Sequence, residues 1–94
     1  QVPYKTMEAA YSAYEVVEAM VKDGNPNSIT DAGVGALCIR TAVYGAYLNV
    51  MINAASIEDV DVALELKSKA KNLLDLSNAK EKELLEEVEG VVVQ

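Results

Sequence analysis

Two polar clusters bracket the most apolar stretch of this 94-residue chain. Asn25, Asn27, Ser28 and Asp31 gather at its start, and Asn49 and Asn53 stand four residues apart near its end. Arg40, the only arginine, lies between them, with Tyr44 one helical turn further on. Amides, a hydroxyl and a carboxylate grouped in this way are unusual for a purely structural helix, because a buried and unsatisfied amide costs about 1–3 kcal/mol. There is no His, and Cys38 is the single cysteine. That excludes a Ser-His-Asp triad, a His zinc site, a metal centre built from several thiolates of one chain, and an internal disulfide. Chemistry falls to carboxylates, amides, hydroxyls, Lys or Arg. Cys38 reads as a small buried hydrophobe in a reducing compartment.

Each of these residues also has a structural reading. Ser28 suits a helix N-cap whose hydroxyl accepts from the Asp31 backbone N–H, and Asp31 then favours the positive end of the helix dipole. Asn25 and Asn27 are good turn formers. An isolated buried charge is costly, so Arg40 must pair with an acid across the bundle or face an anionic ligand. Asn49 and Asn53 share one helix side, either as a hydrogen-bonded lock or as part of a polar pocket. Tyrosines at positions 4, 11, 14, 44 and 47 are more often core than ligand stackers, with Tyr44 the one to test.

The elements that must position these groups are helices. Periodicity predicts three, at about 3–22, 28–54 and 57–89, packed as an all-α antiparallel helical bundle. In the first, Met7, Ala10, Tyr11, Tyr14, Val17 and Val21 recur at three- and four-residue steps. The Gly24–Pro26 segment ends it. The second is apolar on nearly every side and so should be buried all round, and its small residues let neighbouring backbones approach closely. Two partner helices cannot cover it, which predicts a larger bundle or a dimer. The third opens at Ser56 with Asp59 as a capping-box variant, carries Val62, Leu66, Ala70, Leu73, Ser77, Leu84 and Val88 on one stripe, and stops at Gly90. Glu65 with Lys69 and Lys71 with Asp75 mark its solvated face.

Length and charge bound the function. A chain this short is at most one domain and buries only about two-thirds of its unfolded surface, so its own core is marginal. Fifteen acids against eight bases give a net charge of −7, which disfavours nucleic acid and anionic membrane as partners. The Ala32–Met51 window is long enough to span a bilayer. Arg40 at its centre would cost about 2.5–3.5 kcal/mol there, so a buried helix of a soluble protein is expected instead. The chain opens on Gln1 without a charged, apolar leader, which predicts a cytoplasmic protein with a further upstream part.

The run Gly24-Asn25-Pro26-Asn27-Ser28-Ile29-Thr30-Asp31, followed by Gly45-Ala46-Tyr47-Leu48-Asn49-Val50-Met51-Ile52-Asn53, resembles the formiminotetrahydrofolate cyclodeaminase / methenyltetrahydrofolate cyclohydrolase family. There a G-N-x-N-S-x-[ST]-D segment leads into a small-residue helix ending G-A-x-x-N-V-x-x-N. The match covers roughly Val2 to Asn53. Family members are longer all-α proteins and typically dimers; their Pro- and Gly-rich opening and an acid linked to catalysis have no counterpart here. The resemblance therefore implies that residues 1–94 are the C-terminal portion of such a domain, completed by an N-terminal half or a second subunit. It implies a tetrahydrofolate derivative as substrate, no metal and no tightly bound cofactor. The expected reactions are cyclodeamination of 5-formiminotetrahydrofolate to 5,10-methenyltetrahydrofolate, or hydrolysis of the latter to 10-formyltetrahydrofolate. Both pass through a tetrahedral carbon and need proton transfer and orientation of the pterin. By the same resemblance Asp31 is the candidate catalytic acid, and Asn25, Asn27, Ser28, Arg40, Tyr44, Asn49 and Asn53 are the candidate substrate contacts. The competing reading is a non-enzymatic helical oligomerisation or adaptor module.

Overall fold

A computed structural model describes residues 2–23 and 25–92, in the order α1 Val2–Ser12, α2 Tyr14–Asp23, α3 Pro26–Ala54 and α4 Val60–Val92. No strand occurs among the described residues, and the all-α bundle is as expected. The first expected helix is interrupted at Ala13. There the ladder tightens to three-residue steps, Ala13 N–H to Ala10 O and Val16 N–H to Ala13 O, while the Ser12 hydroxyl donates to Ala9 O at 2.7 Å.

Both predicted helix starts move. The α3 helix begins at Pro26 and is capped by Asn25, whose Oδ1 accepts from the Asn27 N–H at 2.9 Å. Proline at the first helical position lacks only an N–H that would be unpaired there. Ser28 is therefore inside the first turn rather than its cap, and Asp31 falls in the second turn, beyond the strongest part of the dipole. Asp59, not Ser56, caps α4, accepting from the Asp61 and Val62 N–H groups at 3.0 and 3.2 Å. Ser56 instead donates to Asn53 O at 2.8 Å and finishes α3. Gly90 does not stop α4, which continues to Val92.

Packing is antiparallel between α3 and each of its three neighbours, α1, α2 and α4. Val88 lies over Gly33 and Glu81 beside Arg40, while Val17 lies over Gly35 and Val2 and Thr6 lie near Asn49. A Cβ added at Gly33 or Gly35 would sit 3.2 or 3.3 Å from those valines, so these glycines let α4 and α2 approach closely. One apolar cluster joins Met7, Val43, Val50, Leu73 and Leu74; another joins Tyr14, Val17, Ile29, Leu84 and Val88. The stripes on the first and last helices are those read from periodicity, except that Val62 is half exposed.

The surprise is α3. At about 1.5 Å per residue it is roughly 43 Å long, in a molecule measuring 53 × 17 × 15 Å. A bundle this thin has one layer of interior side chains, so α3 buries one side only. Val34, Leu37, Leu48 and Ile52 are exposed, and Cys38 is exposed rather than buried. Of its most apolar window only 22% is buried, and by length and composition the helix could cross a membrane. Arg40 is also partly exposed, at the rim where α3 meets α4.

Across the α2–α4 seam, Lys80 Nζ donates to Glu18 Oε1 at 2.7 Å. That bond holds the Glu18 carboxyl below, and the Lys80 ammonium above, their usual ranges. A depressed carboxyl adds stability above its unfolded value and loses it as pH falls through the folded one. Urea midpoints measured at pH 7 and at about pH 3 should therefore show a larger acid loss in the wild type than in Lys80→Met. Equal losses would mean the pair is not formed in solution.

Candidate functional site

A groove between α1 and α3 takes in two of the predicted residues, Asn49 and Asn53. Its volume is about 470 Å³, and its lining includes Val2, Thr6, Ala42, Gly45, Asn49 and Asn53. The four-residue spacing on a helix puts both asparagines on this wall, as the sequence requires. Asn53 Nδ2 donates to Asn49 O at 2.8 Å, which fixes the Asn53 amide. The Asn49 amide has no hydrogen-bond partner among the described residues. Thr6 is occupied, its hydroxyl donating to Val2 O at 3.0 Å. The wall thus offers amide donors and acceptors over an apolar floor, which suits a flat heterocycle with hydrogen-bonding edges.

A second, shallower depression of about 540 Å³ flanks α3 on the α4 side and is lined by Arg40, Thr41, Tyr44, Gly45 and Leu48. Arg40 Nε pairs with Glu81 Oε2 at 3.5 Å, so the cross-bundle ion pair that the sequence called for is present. Tyr44 packs edge-to-face on Tyr47, ring centroids 5.9 Å apart at 76°. Gly45 borders both depressions.

The amino-terminal cluster lies apart. Asn25 is spent on capping, Asn27 and Asp31 are exposed and Ser28 is partly buried. Asp31 is eighteen residues from Asn49 along one straight helix, about 27 Å. No single small ligand on one chain touches both. Asn49 and Asn53 therefore share one depression and Arg40 and Tyr44 another, while the amino-terminal cluster that the sequence grouped with them lies apart. The sequence reading missed the groove's opposite wall, Val2 and Thr6, whose only signal was the end of the first amphipathic stripe, and it missed Gly45 as the shared floor.

Comparison with known proteins gives this architecture a class. The chain belongs to the formiminotransferase-cyclodeaminase family, whose pattern it matches over residues 1–72. Among its relatives, methenyltetrahydrofolate cyclohydrolase of Methylorubrum extorquens is 30% identical over 91 residues, 97% of this chain and 44% of that protein. Formimidoyltransferase-cyclodeaminase of Rattus norvegicus is 33% identical over 58 residues, 62% of this chain and 11% of the relative. The Sus scrofa protein of the same name is 26% identical over 89 residues, 95% of this chain and 16% of the relative. This chain thus spans less than half the length of the relatives it matches. No solved structure matches it.

Proposed function

We infer that this protein binds a tetrahydrofolate derivative carrying a one-carbon unit, with the pterin against Asn49 and Asn53. The observation that carries this is the paired amides on an apolar wall, in a chain of a folate one-carbon family. Hydrolysis of 5,10-methenyltetrahydrofolate is the preferred reaction, because the relative named for it is 30% identical over 97% of this chain, against 26% over 95% for the cyclodeaminase of Sus scrofa. Water adds to the methenyl carbon, the resulting tetrahedral carbon breaks its bond to N5, and the formyl group stays on N10 as one proton is released. Cyclodeamination is the second reading, supported by the relatives named for it. In either reaction the asparagines orient the ring system, which is where positioning catalysis gains most. Arg40 and Tyr44 are proposed to meet the benzoylglutamate end. The Asn25, Asn27, Ser28 and Asp31 cluster would supply the proton-transfer group, Asp31, only if a second chain brought it to the groove.

Equilibrium binding of 5-formyltetrahydrofolate, with decay of methenyltetrahydrofolate absorbance alongside, tests this. Asn49→Leu removes the hydrogen bonds at similar volume and should weaken binding about tenfold, the equivalent of 1.4 kcal/mol. Leu76→Ala, on the far helix, should bind as the wild type does. A wild-type chain that binds no folate and leaves the absorbance unchanged would instead favour the oligomerisation module.

A further inference from the structure

Three of the chain's eight basic residues, Lys67, Lys69 and Lys71, fall within five positions of α4. Lys69 lies on a different side of the helix from the other two and pairs with Glu65 at 3.6 Å. Lys67 and Lys71 share one side, four residues apart, where like charges destabilise a helix. Lys71 has Asp75 at 3.0 Å. Lys67 has no acid in reach on its own helix, because the positions three and four away hold Ala63, Leu64, Ala70 and Lys71. Among the described residues it forms no ion pair. In a chain with fifteen acids and eight bases, two neighbouring lysines left with one acid between them call for an anion.

Both lysines line a groove of about 470 Å³ along the α3–α4 seam. Ser68 and Asn72 line it beside them, and neither side chain has a hydrogen-bond partner among the described residues. The other wall is Tyr47 and Met51 of α3, both partly buried against the apolar cluster of that end. No carboxylate lines the groove. It lies on the side of α3 turned away from Asn49 and Asn53, since Tyr47 and Met51 each stand two residues before one of them, about 200° around the helix.

We propose that this groove is a second ligand site, for a phosphomonoester carried on a small apolar body. Two ammonium groups match a charge of about −1.5 to −2 at neutral pH, and the three acceptor oxygens of such a group can take the Ser68 hydroxyl and the Asn72 amide as well. Lysine binds phosphate as a point charge on a flexible stem, whereas the planar pairing of a carboxylate is the geometry of arginine. The apolar body rests on Tyr47 and Met51, and the polar groups of α4 orient it. The bond from Lys71 to Asp75 is no obstacle. Both side chains are 58% exposed, and an exposed pair of this kind contributes little, so the incoming anion takes Lys71 over. The site shares no residue with the folate reading and does not depend on it.

Titration of the isotope-labelled chain with phenyl phosphate at low salt, followed by NMR, tests the assignment. Wild type should bind with its shifts centred on Ser68 and Asn72. Lys67→Met and Lys71→Met should each raise Kd about tenfold, the loss of one charge-assisted hydrogen bond, while Lys82→Met, further along α4, should not. Asp75→Asn should lower Kd about threefold, because it frees Lys71. Glu65→Gln makes the same change in net charge outside the groove and should leave Kd as it is. Inorganic phosphate lacks the apolar body and benzoate lacks the second charge, so each should bind more weakly than phenyl phosphate. Absence of binding, shifts spread over all the lysines, a Kd unmoved by Lys67→Met or by Asp75→Asn, or equal affinity for phenyl phosphate and benzoate would each overturn the proposal.

Discussion

Leu84→Ala is expected to destabilise the protein by about 2–5 kcal/mol, the range for emptying a fully buried leucine site. Leu84 is 1% exposed and sits among Tyr14, Val17, Ile29, Ala32, Ala36 and Val88, contributed by all the helices of that end. In a molecule with one interior layer the surrounding side chains are anchored on rigid helices and have little room to collapse into the space left. Domains of this size are stable by only about 5–10 kcal/mol, so the variant should be largely unfolded at modest urea concentration. Leu76→Ala, at a leucine that is 55% exposed, should stay within about 0.5 kcal/mol. Urea midpoints taken at one fixed protein concentration separate the two, since association would shift both. Similar losses for the two leucines would show that this end of the bundle is not packed as described.

The contrast between Leu84 and Leu76 was legible in the sequence because α4 is amphipathic: its apolar residues keep a helical period, and the period fixes which side is inside. The same logic found Met7, Tyr14 and Val17. It failed on α3 for a physical reason. A helix apolar all round has no period to read, so only the arrival of its neighbours decides which side is covered. Cys38 and Arg40 were placed inside on that account and are exposed. The cap of α3 was misread because Asn25, Asn27 and Ser28 are all competent N-caps, and the discriminating feature was Pro26, which fits the first helical position and so selects the residue before it. The candidate site was half legible. Asn49 and Asn53 share a wall because four residues make about one turn, but sequence clusters at two ends of one helix were treated as neighbours when the rise per residue holds them apart.

Between the two apolar clusters lies one polar contact, at a serine that the sequence placed on the α4 stripe among apolar residues. Ser77 is fully buried, and Tyr14 is 2% exposed. The Tyr14 hydroxyl donates to Ser77 O at 3.2 Å and lies 3.0 Å from Ser77 Oγ. Tyr14→Phe should cost about 1–3 kcal/mol at neutral pH, because it strands the Ser77 hydroxyl without water. Adding Ser77→Ala should restore part of that loss, since removing both partners leaves nothing unsatisfied. Burial pushes the Tyr14 phenol above its ordinary value of 10.0, opposed by the Ser77 hydrogen bond and reinforced by Glu81 and Tyr11. The fold therefore favours the neutral phenol. Its contribution is complete below the unfolded value and disappears as pH rises through the folded one. Urea midpoints at pH 7 and about pH 11 should show a steeper alkaline loss in the wild type than in Tyr14→Phe. Parallel alkaline losses, or a double variant whose cost is the sum of the single ones, would mean that Tyr14 and Ser77 do not act as a pair.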